Sequence, residues 1–235
     1  MLKKELVPFL IKTLRTKFLL LGEDAGNGRF SEIIHQVFYR MYKMIDKEFF
    51  DRSKDAAKQC GAVVNSCLLI GNMLYCINLG DCRAVICRNG KAINMSVDQK
   101  ATLESEVTRI LNLGGTVCDE RVFGRLMITR AFGDFELKLR QDMEMNFHVV
   151  NFVSNEPDIR YLKINFETDR FLVIASDGVF EQYSSQEVCN FVNNELARMP
   201  VEAQDARLIA KRLCNHAIRV RQIKDNVTCI VVIFT

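Results

Sequence analysis

Leu6, Leu10, Leu14 and Phe18 recur four apart near the start of the chain, with Lys12, Arg15 and Lys17 off that stripe. The spacing predicts an amphipathic helix over about 2–20, regular from Pro8 onward, whose apolar side packs on a core. Ile34, Phe38, Met41, Ile45 and Phe49 keep the helical period and predict a second helix over about 30–48, beyond the loop GEDAGNG.

After KQCG the texture changes to that of strands. VVNSCLLI, Gly71-Asn72 and MLYCINLG predict one hairpin. RAVICR, Asn89-Gly90 and KAINM predict another, whose Asn-Gly pair favours a type I′ turn. A short helix over about 102–112 is expected to end in a left-handed cap at Gly114-Gly115. RVFGRLMITRAFGD reads as a strand leaving through glycine, and 141–157 has no clear period. Strands over about 159–164 and 170–176 follow. Ser184 and Glu187 have capping-box spacing at the start of a helix running to about 198. A helix over about 202–220 is expected to turn Ile209, Leu213, Ala217 and Val220 inward, and VTCIVVIF suits a central strand.

Consecutive hairpins with helices grouped before and after them indicate an α+β layered domain, not alternating β-α-β units. No stretch resembles an interdomain linker. One domain over 1–235 is expected, with two helices over 1–58 and a core over 60–235.

Composition adds mainly exclusions. Hydrophobic residues make up 49% and charged residues 26%, as in a soluble globular protein, and a net charge of +3 is too slight to argue for nucleic acid or membrane. The basic residues Arg207, Lys211, Arg212, Arg219, Arg221 and Lys224 read as a solvated helix face. Lys12, Arg15 and Lys17 interrupt any secretory h-region, and no run approaches the ~20 apolar residues of a membrane span. Nine cysteines without zinc spacing read as free thiols of a reducing compartment, which places the expected location in cytoplasm or nucleus. His35, His148 and His216 lie far apart with no nucleophile context and read as surface or satisfied core histidines.

Candidate chemistry is concentrated in four aspartates beside strands. Asp177 ends the apolar run FLVIAS, and Asp225 precedes VTCIVVIF. If those strands are antiparallel neighbours, both carboxylates project from one sheet edge. Asp81 (LGDC) and Asp134 (FGDF) each follow a glycine, and Gly178 follows Asp177. Glycine allows the sharp turn that exposes a neighbouring carboxylate. Converging aspartates suit Mg²⁺ or Mn²⁺, but Gly-Asp and Asp-Gly are also common turn dipeptides. Spacing leaves both readings open.

Six segments in order over residues 60–235 carry a family resemblance: LYCINLGDCRAVICRNGKA, EVTRILNLGGTV, RVFGRLMITRAFGD, NEPDI, FLVIASDG and KDNVTCIVV. Together they resemble the metal-dependent protein phosphatases of type 2C, the PPM family. The resemblance implies an α-β-β-α sandwich of two antiparallel sheets flanked by helix pairs. It also implies hydrolysis of phosphoserine and phosphothreonine in proteins by water activated between two Mg²⁺ or Mn²⁺ ions. In the family's motifs Asp177 and Asp225 match metal-binding aspartates, and Asp81 matches the aspartate of a weaker third site. Arg130 and Asp134 match the Arg-Ala-x-Gly-Asp motif in a supporting role, Gly178 completes Asp-Gly, and Asn226 is expected to order the loop carrying Asp225. A monomer is expected.

The family's first metal-binding element, a strand ending in Asp-Gly-His-Gly-Gly, has no counterpart in these residues, nor does its upstream phosphate-binding arginine. GEDAGNG follows no strand and does not replace it. The expectation is a domain lacking its first strands, with weakened metal binding and little activity of its own. Gly61-Ala62-Val63 stands where the family has Gly-Ser-Thr, and Asp177-Gly178-Val179-Phe180-Glu181 where it has Asp-Gly-(Leu/Ile)-Trp-Asp. A catalytically silent relative that binds phosphoproteins as a scaffold is the alternative expectation.

Overall fold

The computed structural model describes residues 8, 10–16, 27–53, 58–141 and 147–234. Residues 10–16 are helical, and Leu14 is buried there. Leu6 and Phe18 of the same expected stripe lie outside the described residues. Helix α1 runs over Asn27–Ser53 and is longer at both ends than its apolar stripe. The pairs Lys47–Asp51 and Arg52–Glu48, each four apart, support its last turns.

The strands that follow are β1 (Gly61–Ala62), β2 (Val64–Ile70), β3 (Met73–Leu79), β4 (Arg83–Arg88) and β5 (Lys91–Asn94). Next come α2 (Glu104–Asn112), β6 (Val117–Cys118), β7 (Arg121–Val122), β8 (Phe132–Gly133), β9 (Leu139–Gln141) and β10 (Phe147–Val149). The chain continues through β11 (Asp158–Lys163), β12 (Asp169–Ala175), α3 (Asp177–Phe180), α4 (Ser185–Ala197), α5 (Ala206–Arg219) and β13 (Cys229–Ile233).

Two antiparallel sheets, ordered β11-β3-β2 and β13-β12-β4-β5, form the middle of the fold. Side-chain alternation gives the inner strands β3, β4 and β12 two cores each. On β3, Tyr75, Ile77 and Leu79 meet Ile34, Phe38 and Met41 of α1. Leu74 and Cys76 of the same strand meet Ala84, Ile86 and Leu172 of the other sheet. Beyond that sheet, Val85, Phe171 and Val173 pack on Val188, Val192 and Leu213 of α4 and α5. The layers are helix, sheet, sheet, helix, the α+β sandwich expected.

Both hairpins form as expected, and Asn89 and Gly90 take φ of 49° and 77°, the left-handed pair a type I′ turn requires. Helix α2 ends in a Schellman cap, with Gly114 N–H donating to Leu111 O and Gly115 N–H to Ile110 O. Ser184 and Glu187 form the capping box of α4.

Four expectations need correction. RVFGRLMITRAFGD is not one strand: after β7, Phe123 and Gly124 take φ of 50° and 67°, and this left-handed turn breaks the ladder before β8. The unpatterned 141–157 contributes to a small hairpin, β9 paired with β10. The expected helix over 202–220 starts only at Ala206, where the Asp205 carboxylate caps Arg207 N–H and Leu208 N–H. Val220 lies past its last turn and is 60% exposed. Among the described residues β13 is an edge strand paired only with β12, so Ile230 and Val232 are exposed although the run is apolar throughout.

Candidate active site: an acidic edge of the four-stranded sheet

Strand register sets the geometry. Arg83 faces Ala175 across the β4–β12 ladder, and Ala175 faces Cys229 across β12–β13. Asp177 therefore leaves β12 beside the segment that leads into β13, where Asp225 sits. Asp81, in the β3–β4 connection, leaves the sheet at the same edge.

Backbone bonds continue the ladder past the strands. Ser176 N–H donates to Thr228 O at 3.0 Å, and Thr228 N–H donates to the Ser176 hydroxyl at 3.2 Å. That hydroxyl donates in turn to Asn226 O at 3.3 Å. Asp177 opens α3, and its Oδ1 accepts from Gly178 N–H at 2.9 Å. Asp225 is exposed, and its Oδ1 accepts from Asn226 N–H at 2.6 Å. Asn226 thus joins the two aspartate loops.

Asp81 is almost buried at 7% exposure. Burial raises its pKa, the Asp177 carboxylate raises it further, and Lys100 opposes both. The Lys100 ammonium lies 3.8 Å from Asp81 Oδ2. Asp98 adds negative field while Arg83 holds it bidentately at 2.9 and 2.7 Å. The glycine before Asp81 is required: Gly80 has φ +105°, and a Cβ there would fall 2.2 Å from Val63 Cγ1.

Arg130 and Asp134 are engaged elsewhere. Arg130 donates to Glu106 Oε1 at 3.0 and 2.5 Å and to Glu156 O at 2.9 Å. Arg109 grips the other Glu106 oxygen and also reaches Asn151 O and Phe152 O. Burial pushes the Glu106 carboxyl up, but the two guanidiniums outweigh it and hold the pKa below its ordinary value. Asp134 sits at φ 49°, and its carboxylate fills the place a Cβ on Gly61 would need, 1.9 Å from Oδ2. Burial raises its pKa, against the field of Lys138.

Beside Asp134 lies a fully buried pair that the sequence pattern did not single out. Lys138 Nζ donates to Asp46 Oδ2 at 2.7 Å and to Ala131 O at 2.8 Å. Asp46 also accepts from Gly133 N–H and Asn155 Nδ2. The available signal was Asp46 inside the buried stripe of α1 and Lys138 between two leucines. Asp98, Lys100 and Glu106 were also missed, because a charged residue outside any motif carries no sign in the sequence that it is buried or half-buried. Of the histidines, His216 Nδ1 is hydrogen-bonded to the Tyr183 hydroxyl, as a satisfied histidine should be.

The donors at the acidic edge are all oxygen, the chemistry that hard divalent cations take. Burial is the larger cause of the raised Asp81 pKa, and the Asp177 carboxylate adds a negative field that a cation at this edge would offset. Among the described residues, however, no group of three or more His, Cys, Asp or Glu is assembled closely enough to hold an ion. The edge fits part of a metal-binding donor set.

A double antiparallel sandwich between helix layers, with aspartates gathered at one sheet edge, defines the class of type 2C protein phosphatase folds. The family model "Protein phosphatase 2C" matches residues 16–227. The chain is 36% identical over 224 residues to "Probable protein phosphatase 2C 43" of Arabidopsis thaliana, covering 92% of this chain and 51% of that protein. It is 32% identical over 204 residues to "Probable protein phosphatase 2C 4" of Paramecium tetraurelia, covering 84% and 66%. The chain thus spans about half to two thirds of the length of these relatives. Among solved structures, the serine-threonine phosphatase 2C from Toxoplasma gondii superposes with a TM-score of 0.71 at 20% identity, covering 96% of this chain and 78% of that one. A C. elegans sex determining protein superposes with a TM-score of 0.74 at 20% identity, covering 94% and 51%. The chain belongs to the protein phosphatase 2C family.

Among the described residues no helix is long and apolar enough to cross a membrane.

Proposed function

We propose that these residues form a metal-dependent protein serine/threonine phosphatase domain, with Asp177, Asp225 and Asp81 as ligands of Mg²⁺ or Mn²⁺ and phosphoserine or phosphothreonine proteins as substrates. The observation that carries it is the β4–β12–β13 register, which brings the three aspartate-bearing segments to one edge. When bound, the ions would supply Lewis acidity to the phosphoryl group and acidify water. The chain's own part is to hold the carboxylates: the Asn226 carbonyl ties the two loops, and Gly178 lets them approach. Arg130 and Asp134 act in support, through the networks that fix the segments beneath Gly80 and Gly61.

With a partial donor set, residues 1–235 alone should turn over little or no phosphoester. The test is hydrolysis of p-nitrophenyl phosphate and a phosphoserine peptide with Mn²⁺. The expected trace of activity is lost with chelator and in Asp177→Ala. Activity that survives chelation would overturn the metal-dependent reading. Fast turnover abolished by Asp177→Ala would overturn the low activity.

The Lys100–Asp81 ion pair favours a second reading, a phosphoprotein-binding scaffold without hydrolysis, since an ammonium already neutralises one ligand carboxylate. Phosphopeptide pull-downs that recover no partner count against it.

A further inference from the structure

Between α4 and α5 lies an open cleft of about 490 Å³. Phe191, Glu195 and Arg198 line it from α4 and the residue just past its end, and Arg212, His216 and Arg219 line it from α5. Both sets have the helical spacing i, i+4, i+7, so each helix turns one face to the cleft while Val192 and Leu213 point into the core.

Three guanidiniums thus share the cleft with one carboxylate. Glu195 is buried and both its oxygens are taken, Oε1 by Arg198 Nη1 at 2.7 Å and Oε2 by Arg212 Nη1 at 2.5 Å. Arg219 has no ion-pair partner among the described residues, and no other carboxylate lines the cleft. The exposed amides of Asn194 and Asn215 complete its polar lining.

Three positive charges against one negative leave an excess of two. His216 and Arg219, in the last turn of α5, also offset the C-terminal dipole of that helix, but the dipole is worth only about half a charge. The excess therefore survives. The unused guanidinium N–H groups are donors in the planar fork that matches a phosphate. A phosphomonoester carries about −1.5 to −2 at neutral pH, the charge that the cleft lacks. Half-buried Phe191 and the exposed Val220 add apolar surface for a residue beside the phosphate.

We propose that the α4–α5 cleft docks a phosphoserine or phosphothreonine side chain, flanked by an apolar residue, of a protein partner. The phosphate is held there by charge and hydrogen bonds, and no bond is broken. That it arrives on a protein rests on the phosphatase reading; the charge match does not. The chain from Arg219 to Asp225 spans at most about 22 Å when extended, so the cleft and the acidic edge lie within reach of one peptide.

The test is a fluorescence-anisotropy titration of the full chain with a labelled peptide carrying one phosphoserine beside a leucine, in EDTA. The expected result is saturable binding about tenfold or more tighter than that of the unphosphorylated peptide. Arg219→Glu should remove this preference, and so should Asn215→Asp, a milder change at an exposed position. Lys211→Glu, the same charge reversal on α5 but outside the cleft, should leave it in place. Circular dichroism checks that the variants are folded. Equal affinity for both peptides would overturn the proposal, as would a preference that survives Arg219→Glu and Asn215→Asp or falls equally in Lys211→Glu. Binding of phosphatidylserine vesicles or a single-stranded oligonucleotide in place of the phosphopeptide would overturn it too. Mn²⁺-dependent hydrolysis without this binding removes the cleft and keeps the phosphatase reading, whereas binding without hydrolysis keeps the cleft.

Discussion

Gly178 lies so close to the Asn226 carbonyl that a Cβ on the glycine would stand 2.3 Å from that oxygen. The contact joins the loop after β12 to the loop before β13, and so holds the segments of Asp177 and Asp225 together. The obstacle is backbone, which cannot rotate away as a side chain can. Gly178→Ala should therefore push the 225–228 segment off the β12 ladder at a cost of about 1–3 kcal/mol. Urea unfolding measures that cost, and a midpoint equal to wild type would show that the loops need not touch.

Glu106 is clamped by Arg109 and Arg130, and replacing it with glutamine leaves two guanidiniums without an anion. Breaking a buried pair costs about 3–5 kcal/mol, and the partly exposed arginines argue for the lower end. The sign with pH follows from the lowered pKa: the carboxylate's contribution is complete above the ordinary carboxylate range and disappears as pH falls through the folded value. The gap between wild type and Glu106→Gln should therefore be widest at about pH 7 and narrow toward about pH 4 and below. Chemical denaturation at several pH values checks it.

Asp46 and Lys138 are each only 2% exposed, so removing one charge strands the other in the interior. Lys138→Met alone should cost about 3–5 kcal/mol, and Asp46→Leu at least as much, because it also orphans Gly133 N–H. The double variant should lose less than the sum, with a coupling of about 1–3 kcal/mol. Additive losses in a double-mutant cycle would mean that the ion pair contributes nothing as a pair.

Asp81 behaves in the opposite sense to Glu106. Its carboxyl is raised, so the folded state binds the proton more tightly than the unfolded chain does. Stability without metal declines as pH rises from the ordinary carboxylate range through the folded pKa. Asp81→Asn should remove that decline and raise the melting temperature at about pH 7 in metal-free buffer. The same variant should gain less than wild type from added Mn²⁺. Thermal melts with and without the ion give both comparisons.

The parts of this architecture that were legible in the sequence are those set by local rules. Asn89-Gly90 fixed a turn, Ser184 and Glu187 a helix start, and the ends of FLVIAS and VTCIVVIF an acidic sheet edge. Features set by tertiary placement were not legible. The apolar run at 227–234 gives no sign that β13 has a neighbour on one side only, since an edge strand packed on one face can be as apolar as a central one. The Asp46–Lys138 pair joins residues far apart in the chain, and neither stands in a motif. Phe123 broke the expected strand by taking a left-handed φ, a conformation its residue type does not announce.

The most direct test of the acidic edge as a metal site is a titration of Mn²⁺ into the full chain, followed by electron paramagnetic resonance of the free ion. The expected result is weak but saturable Mn²⁺ uptake that disappears in Asp177→Ala and in Asp225→Ala and is unchanged in Glu167→Ala, a substitution at an exposed turn. Mn²⁺ uptake undiminished in both aspartate variants would contradict it.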